Sequence, residues 1–226
     1  MTALLYDIHG NLPALEAVLE DVSQQGEERF LLGGDYALFG AWPVETVALL
    51  RELDAVWIRG NGERWTGSPD DAPEAANAAV IRCAEMLGRE VVSDLAALPE
   101  THSEGEVLFC HGSPRSDVRS FLPEPADDEP ELLDGVEHRR LVFGHTHLAF
   151  ARQAADGIEL INPGSVGMPF DGDPRAAWAR MDEDGTIEHR RVRYDHAASA
   201  DAVREVLGEA GEVPARRIER AKFDVS

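Results

Sequence analysis

The sequence is poor in positive charge. Its 226 residues include 21 lysine and arginine residues against 43 aspartate and glutamate residues, which gives a formal net charge of −22, and Lys222 is the sole lysine. Such a surface repels a phosphate backbone, so tight binding of DNA or RNA is disfavoured unless bound cations supply positive charge locally. We therefore expect no polynucleotide partner.

Disulfides, membrane spans and a leader segment are also missing from the pattern. The two cysteines, Cys83 and Cys110, do not make a disulfide framework. The longest stretches without an acidic or basic residue, 141–151 and 160–170, are too short to span a bilayer. No basic segment followed by an apolar one opens the chain. We therefore expect a cytoplasmic protein without a membrane partner, and leave open whether it forms a homo-oligomer.

The hydrophobic pattern that is present predicts an α/β fold. Short apolar runs alternate with helical apolar stripes over the first two-thirds of the chain. The predicted strands lie at 4–6, 30–32, 55–58, 107–110 and 141–143, and the predicted helices start near Asn11, Pro43 and Pro73, with a break at Gly88. The acidic stretch 123–131 is predicted to be a surface loop, with a lid as the alternative.

The last third of the chain has a different pattern. The dipeptides Asp156-Gly157 and Asp184-Gly185 predict antiparallel hairpins, and a final helix is predicted to end near Gly211. No linker divides the sequence, and α/β folds of this size commonly remain undivided. Residues 1–226 are therefore predicted to form one domain.

Polar side chains follow several of the predicted strands, at the point where each strand ends. They are Asp7, His9, Asp35, Asn61, His111, His145 and His147. Strand ends lie along one edge of an α/β sheet, so these side chains could meet in one crevice. Each alone is more often a cap or a hydrogen-bonded histidine, but their joint occurrence favours a metal site. Imidazole and oxygen ligands without thiolate suit Mn²⁺, Fe, Co²⁺, Ni²⁺ or Zn²⁺, and seven ligands suit two ions that share a carboxylate.

These residues carry a resemblance to a known family. In order, Asp7-x-His9, Gly34-Asp35, Gly60-Asn61, His111 and Gly144-His145-Thr146-His147 resemble the five blocks of the calcineurin-like metallophosphoesterases. The segment 162–167, Asn-Pro-Gly-Ser-Val-Gly, resembles the small bacterial and archaeal phosphodiesterase branch, which includes dinucleoside tetraphosphatases. The resemblance implies a four-layer α/β/β/α sandwich, in which two mixed sheets are flanked by helices.

The resemblance also implies roles for the ligands. Asp7, His9 and His147 would bind one divalent transition-metal ion, Asn61, His111 and His145 a second, and Asp35 would bridge them. Mn²⁺ is the first expectation for both ions. Asp35, Asn61 and His111 are the implied catalytic residues, which help the two ions activate a water molecule for attack on phosphorus. The expected substrate is a small phosphorylated molecule, a phosphodiester, a phosphomonoester or a nucleotide polyphosphate.

One block departs from the family pattern. Members with a longer third block carry a histidine after the asparagine, and this chain has Gly62 there. We hypothesise that the enzyme favours good leaving groups, or that Glu63, Arg64 or Arg115 replaces the imidazole. An alternative is that Gly62 supplies a positive φ. Arg64, Arg115 and Asn11 are the predicted substrate contacts, although Asn11 is also suited to cap a helix and Arg115 to lie on the surface.

Two further alternatives follow from the sequence. Tyr36, Phe39 and Trp65 follow ligand blocks and are candidates to stack on a base, with a place in the core as the alternative for each. The second alternative concerns the whole protein: a non-catalytic metal-binding scaffold of the same fold, similar to the retromer subunit. The complete set of ligands argues against a scaffold, which has no physical need of them.

Overall fold

The computed structural model describes residues 1–26 and 29–225. In these ranges the strands are β1 (Thr2–Leu5), β2 (Phe30–Leu32), β3 (Ala55–Trp57), β4 (Thr101–Glu104), β5 (Val107–Cys110), β6 (Arg140–Val142), β7 (Phe150–Gln153), β8 (Glu159–Asn162), β9 (Ala176–Met181) and β10 (Ile187–Val192). They form two five-stranded mixed sheets, with the orders β10-β9-β1-β2-β3 and β4-β5-β6-β8-β7. Three adjacent strands are parallel in each sheet, namely β1, β2 and β3 in the first and β5, β6 and β8 in the second.

Helices lie on the outer faces of the sheets and at one end. They are α1 (Leu12–Gln25), α2 (Pro43–Leu50), α3 (Asn61–Gly67), α4 (Glu74–Ala96), α5 (Glu129–Leu133), α6 (His196–Leu207) and α7 (Glu212–Arg220). Short 3-10 turns occupy Pro69–Asp71 and Gly208–Gly211. Within the described ranges, no helix has the length and apolar character that crossing a membrane requires.

Alternation along the strands divides the apolar side chains between the two faces of each sheet. In β1, Ala3 and Leu5 pack in the cluster that contains α1, α2 and α4, whereas Leu4 and Tyr6 face the second sheet. The second sheet meets them with Phe109, Val142 and Ile161. Its outer face packs against α5 and Phe121. The predicted arrangement of two mixed sheets between helices is confirmed.

The structure also contains elements that the pattern did not predict. The β4 strand is a polar edge strand that pairs with β5 through its backbone, so it carries no apolar alternation. The final helix ends at Leu207 instead of Gly211, and α7 follows it. Pro214 lies in the first turn of α7. Backbone N–H groups in a first turn have no acceptor within the helix, so the missing N–H of proline costs no hydrogen bond there. Both predicted hairpins are present, as β7–β8 and β9–β10.

The acidic segment 123–131 is held in place by arginines. Arg119 pairs with Asp128 at 3.0 Å and with Glu131 at 2.8 Å. Glu129 is buried and accepts from Arg152 of β7, with 3.1 Å between Arg152 Nη1 and Glu129 Oε1. The segment ends in the first residues of α5, which begins at Glu129. Through Glu129 and Arg152 it is anchored to the second sheet.

Gly88 interrupts α4 and provides a test of backbone conformation. Its φ of 75° and ψ of 161° belong to a region that is nearly exclusive to glycine. A Cβ atom there would meet no other atom within 4 Å, so only conformational strain opposes a side chain. We expect Gly88→Ala to lower the free energy of unfolding by about 1–3 kcal/mol, measured by urea denaturation. Ser93→Ala, at an exposed position of α4, is the control, and equal stability of both variants would contradict the expectation.

Candidate metal centre

The seven predicted ligands lie where the carboxyl ends of parallel strands from both sheets meet. The loops after β1, β2 and β3 supply Asp7, His9, Asp35 and Asn61, and the loops after β5 and β6 supply His111, His145 and His147. Six of the seven side chains are buried, and His145 is partly exposed. The sheet edge therefore brings together residues separated by up to 140 positions in the chain.

The backbone at these ligands is strained. Five of them have a left-handed φ without being glycine: Asp7 at 54°, His9 at 52°, Asp35 at 57°, His145 at 66° and His147 at 58°. Each such residue costs roughly 1–3 kcal/mol, so surrounding contacts must hold it. Backbone hydrogen bonds do so for the first two loops, from Asp7 N to Gly34 O at 3.1 Å and from His9 N to Asp35 O at 2.9 Å.

One group of ligands contains Asp7, His9 and His147. The Nε2 atoms of the two histidines are 3.1 Å apart. Asp7 Oδ1 lies 3.4 Å from His147 Nε2 and 4.0 Å from His9 Nε2. These three side chains, which the sequence placed on one ion, therefore present three ligand atoms to a common point.

A second group contains Asn61, His111 and His145. The end of the Asn61 amide that faces the crevice lies 3.0 Å from His111 Nε2 and 2.8 Å from His145 Nδ1. With its nitrogen there, the amide would donate to both imidazoles; with its oxygen there, it supplies a third ligand atom for a cation. The structure therefore also brings the second predicted set together.

Asp35 lies between the two groups. Its Oδ1 is 3.5 Å from His111 Nε2, and its Oδ2 is 3.8 Å from His9 Nε2. One oxygen thus faces each group, which is the arrangement that a bridging carboxylate requires. Asp7 Oδ1 also approaches His111 Nε2, at 3.9 Å, so the two groups adjoin at Asp7 as well.

Backbone carbonyls orient three of the imidazoles. In each, Nδ1 faces an oxygen, with His9 at 2.9 Å from Leu38 O, His111 at 2.9 Å from Gly33 O and His147 at 2.5 Å from Met168 O. A carbonyl only accepts hydrogen bonds, so Nδ1 carries a proton in each ring and Nε2 is the nitrogen left to bind a cation. This outer support of a ligating histidine is typical of metal sites.

The resulting arrangement contains acceptors without donors. The lone pairs of His9 Nε2 and His147 Nε2 point at each other across 3.1 Å. Asp7 Oδ1 is fully buried and has no hydrogen-bond partner among the described residues. Buried acceptors in this state are costly, and a divalent cation placed between them would remove the cost. The donor set of the crevice therefore fits a metal ion.

Burial also shifts the ionisation of the carboxylates. Desolvation raises the pKa of Asp35 to about 7, with Glu63 and Asp7 adding to the rise and His111 opposing it. Desolvation alone would raise the pKa of Asp7 too, but His147, His111 and His9 outweigh it and hold that pKa below its usual range. A cation would compete with the proton on Asp35.

The same burial keeps two imidazoles neutral. It lowers the pKa of His9 to about 3, with His147 adding to the effect. It lowers the pKa of His145 to about 4, where His111 adds to the effect. Neutral imidazole is the form that binds metals, so these ligands are ready at neutral pH.

Glu63 is a functional residue whose role the sequence did not reveal. Its carboxylate accepts hydrogen bonds from the backbone N–H groups of Asp35, Tyr36 and Gly60, each at 2.8 Å. It therefore connects the loop that carries Asp35 to the loop that precedes Asn61. Both oxygens are occupied and the side chain is buried, so the hypothesis that Glu63 replaces the missing imidazole is wrong. The helix-capping spacing from Gly60 to Glu63 was the available signal.

Gly62 is not a positive-φ position, so that alternative is also wrong. Its N–H donates to Asp35 Oδ1 at 2.7 Å. A Cβ at residue 62 would lie 2.9 Å from the same oxygen and 3.2 Å from Asp35 Cγ. A side chain at this position would therefore press on the Asp35 carboxylate.

The predicted substrate contacts form other interactions here. Arg64 makes a two-fold hydrogen bond with Asp117, at 2.6 and 2.8 Å, and the carbonyl of Asp117 lies 3.1 Å from the Asn61 amide. Arg115 pairs with Asp134 at 2.8 Å on the surface. Contact of either arginine with substrate stays a prediction, and Arg64 lies next to the second ligand group.

Asn11 has a structural role in addition to its predicted one. Its Oδ1 accepts from Ala14 N at 3.4 Å, which caps α1, and from Ser199 Oγ at 3.1 Å. Its Nδ2 donates to Gly167 O at 2.8 Å and to the Tyr194 hydroxyl at 3.1 Å. It thus joins α6 to the first ligand loop, and its contact with substrate stays a prediction.

The three aromatic candidates lie in different surroundings. Tyr36 is buried, and its hydroxyl donates to Leu32 O and Ile58 O, so it belongs to the core. Trp65 packs against the same core. Phe39 lies beside the site, with its ring centroid 5.9 Å from that of His9.

Comparisons with known proteins agree with this site. The model of the Calcineurin-like phosphoesterase superfamily domain matches residues 1–185. The chain is 33% identical over 220 residues to protein MJ0912 of Methanocaldococcus jannaschii, covering 86% of this chain and 88% of that one. It is 30% identical over 187 residues to the phosphodiesterase YfcE of Escherichia coli, covering 79% and 85%. The chain therefore belongs to the calcineurin-like phosphoesterase superfamily, as its motifs predicted.

A solved structure supports the same assignment. The metallophosphoesterase from Sphaerobacter thermophilus superposes with a TM-score of 0.80 at 27% identity, and the match covers 97% of this chain and 98% of that one.

The Glu63 contacts give the first prediction for the site. In Glu63→Gln, an amide N–H₂ must face a backbone N–H, and we expect a loss of about 1–3 kcal/mol in the free energy of unfolding. Urea denaturation measures it. Glu90→Gln removes the same charge at an exposed position of α4 and should change little. Equal stability of the two variants would show that the Glu63 contacts contribute nothing.

The acceptor cluster gives a second prediction. A cation that binds only the native state should raise the free energy of unfolding by about 2.7 kcal/mol when its concentration is 100 times its Kd. We expect Mn²⁺ to do so, and less strongly below about pH 7, because Asp35, whose pKa is raised to about 7, must then lose a proton. Thermal denaturation with and without Mn²⁺ measures the shift.

Two variants define the site in that experiment. Asp35→Asn should lose most of the stabilisation by Mn²⁺, whereas Asp70→Asn, on the surface, should keep it. An equal shift in both variants would place the metal elsewhere.

Proposed function

We propose that this protein is a phosphoesterase that uses two divalent metal ions to hydrolyse small phosphodiesters. The observation that carries the proposal is the pair of buried acceptor groups joined by Asp35, with lone pairs facing each other at 3.1 Å between His9 and His147. Because the Nδ1 atoms of both histidines donate to backbone carbonyls, neither neutral ring has a proton to place between the two Nε2 atoms. The superfamily of the chain and its similarity to the phosphodiesterase YfcE support phosphodiesters as the substrate class.

The proposal assigns the ligands as follows. Asp7, His9 and His147 would hold one ion, Asn61, His111 and His145 the other, and Asp35 would offer one oxygen to each. When bound, the two ions supply Lewis acidity, which activates water and stabilises the charge that develops on the phosphoryl oxygens. Mn²⁺ is proposed first, and Fe, Co²⁺, Ni²⁺ and Zn²⁺ suit the same ligands.

The surrounding residues have positioning roles in this proposal. The carbonyls of Leu38, Gly33 and Met168 hold three imidazoles with Nε2 directed into the crevice. Glu63 holds the loops of Asp35 and Asn61 at a fixed separation. Preorganisation of this kind is worth more than flexible contacts, because no rearrangement is needed at the moment of reaction.

The net charge of the protein and the residue at position 62 limit the class of substrate that we propose. The net charge of −22 disfavours long polyanions, so the proposed substrate is small. Position 62 carries no imidazole and has no room for one beside Asp35, and Glu63 is engaged with the backbone. Without a general acid at this position, diesters with good leaving groups, such as nucleotides or aryl alcohols, are the proposed class.

The experiment measures hydrolysis of bis-p-nitrophenyl phosphate, p-nitrophenyl phosphate and diadenosine tetraphosphate. Protein stripped of metal should be inactive, Mn²⁺ should restore turnover, and Asp35→Asn should lose about 10²-fold or more in kcat/KM. Asp70→Asn serves as the matched surface control. The ranking of the three substrates separates a diesterase from a monoesterase and a polyphosphatase. Binding of Mn²⁺ without turnover of any of them would replace the proposal with a metal-binding scaffold.

A further inference from the structure

A phenylalanine lies directly on one of the metal-site histidines. The Phe170 ring stacks on the His147 ring, with centroids 4.2 Å apart and planes inclined by 14°. The Phe170 N–H also donates to His147 O at 3.2 Å. A residue that contacts Phe170 is therefore separated from the ligand group of Asp7, His9 and His147 only by the Phe170 ring.

Two residues of the carboxyl-terminal segment contact Phe170. The Phe223 ring meets it edge-on, with centroids 5.5 Å apart at 71°. The Arg217 guanidinium lies 5.7 Å from the Phe170 centroid and 4.2 Å from the Phe223 centroid, and Arg217 Nε donates to Phe223 O at 3.0 Å. We call Phe170, Arg217 and Phe223 the aromatic–arginine cluster. The Phe223 side chain is 58% exposed, so it presents an aromatic surface to solvent.

Arg217 has no carboxylate partner within the cluster, and its charge lies over the Phe223 ring instead. No carboxylate of the described residues forms an ion pair with it, although acidic residues outnumber basic ones by about two to one in this chain. Other arginines without an ion pair in the described ranges, Arg89, Arg193 and Arg220, are exposed, whereas Arg217 is partly buried. Burial lowers the pKa of Arg217, which the charge of Asp224 opposes. The guanidinium contacts the Phe223 ring and donates to the Phe223 carbonyl, so it holds this exposed ring in place.

The cluster joins two parts of the chain. Phe170 lies within the matched superfamily region, residues 1–185, and the other two residues lie beyond it. Helices α6 and α7 bring them there by packing Val203, Ala215 and Ile218 against Met168 and Phe170. Gly172 N also donates to Ala221 O at 2.9 Å, which joins the loop after Phe170 to the residue that follows α7. The superfamily region thus supplies the candidate ligands and Phe170. The segment after it adds Arg217 and Phe223, which pack against Phe170.

We propose that the aromatic–arginine cluster binds the nucleoside of a nucleotide substrate, with the base stacked on the face of the Phe223 ring that Arg217 leaves free. This inference rests on the proposed phosphoesterase function, with the phosphoryl group placed at the ligand crevice. A base has apolar faces, which match an exposed aromatic ring that Arg217 holds in place. Stacking accepts any base, so the subsite selects nucleosides as a class.

The test compares two diesters with the same leaving group, p-nitrophenyl thymidine 5′-phosphate and methyl p-nitrophenyl phosphate. They differ only in carrying a nucleoside or a methyl group. With Mn²⁺ present, we expect wild-type protein to prefer the nucleoside diester, mainly through a lower KM. Phe223→Ala and Arg217→Gln should each reduce the ratio of the two kcat/KM values about tenfold. Arg220→Gln removes the same charge three residues away and should leave the ratio unchanged.

A binding measurement separates this inference from the proposed function. Calorimetry with thymidine 5′-monophosphate should show about tenfold weaker binding in Phe223→Ala and Arg217→Gln than in wild type and Arg220→Gln. Phe223→Leu, which keeps apolar volume without an aromatic face, replaces Phe223→Ala if that variant does not fold.

The outcomes are distinct. An unchanged substrate ratio in all variants, with wild-type turnover intact, would reject the subsite and leave the phosphoesterase standing. Without turnover of either diester the phosphoesterase proposal fails, and calorimetry alone decides on the subsite. Equal affinity in all proteins, or no binding to wild type, would reject it.

Discussion

The structure depends on one electrostatic constraint, the crowding of lone pairs that the protein does not satisfy by itself. Asp7 Oδ1 has no donor among the described residues, and the Nε2 atoms of His9 and His147 oppose each other. Left-handed backbone at five ligands, carbonyls behind three imidazoles and the Glu63 carboxylate all serve to hold these acceptors close together. The free energy for this comes from the surrounding core, because buried unpaired acceptors are unfavourable.

The two sheets contribute different chemistry to the centre. Both carboxylates and the amide follow strands of the first sheet, together with His9, whereas His111, His145 and His147 follow strands of the second. The cluster between the sheets, which includes Leu4, Phe109 and Val142, fixes their separation. The candidate metal centre is thus a consequence of sheet packing, since neither sheet carries the full set of candidate ligands.

Local patterns singled out the candidate ligands because they follow apolar strands, and all of them except Asp7 and His147 stand beside a glycine. The same reasoning could not assign Glu63, whose three hydrogen bonds reach residues up to 28 positions away. It missed β4, an edge strand with polar side chains, and α7, which follows a glycine-bounded turn. It also named Tyr36 and Trp65 as candidates for stacking but not Phe170, because the contact of Phe170 with His147 arises from tertiary packing.

The scarcity of lysine has a practical consequence. Lys222 is the sole lysine, so it carries the only side-chain amine in the sequence. It is exposed and directly precedes Phe223. Burial raises the pKa of the Cys83 thiol to about 12 and raises that of Cys110 as well, so neither forms a reactive thiolate at neutral pH. An amine-reactive fluorophore would therefore attach at Lys222 and at the α-amino group alone. The sequence thus permits a spectroscopic reporter next to Phe223 of the aromatic–arginine cluster without the introduction of any new residue.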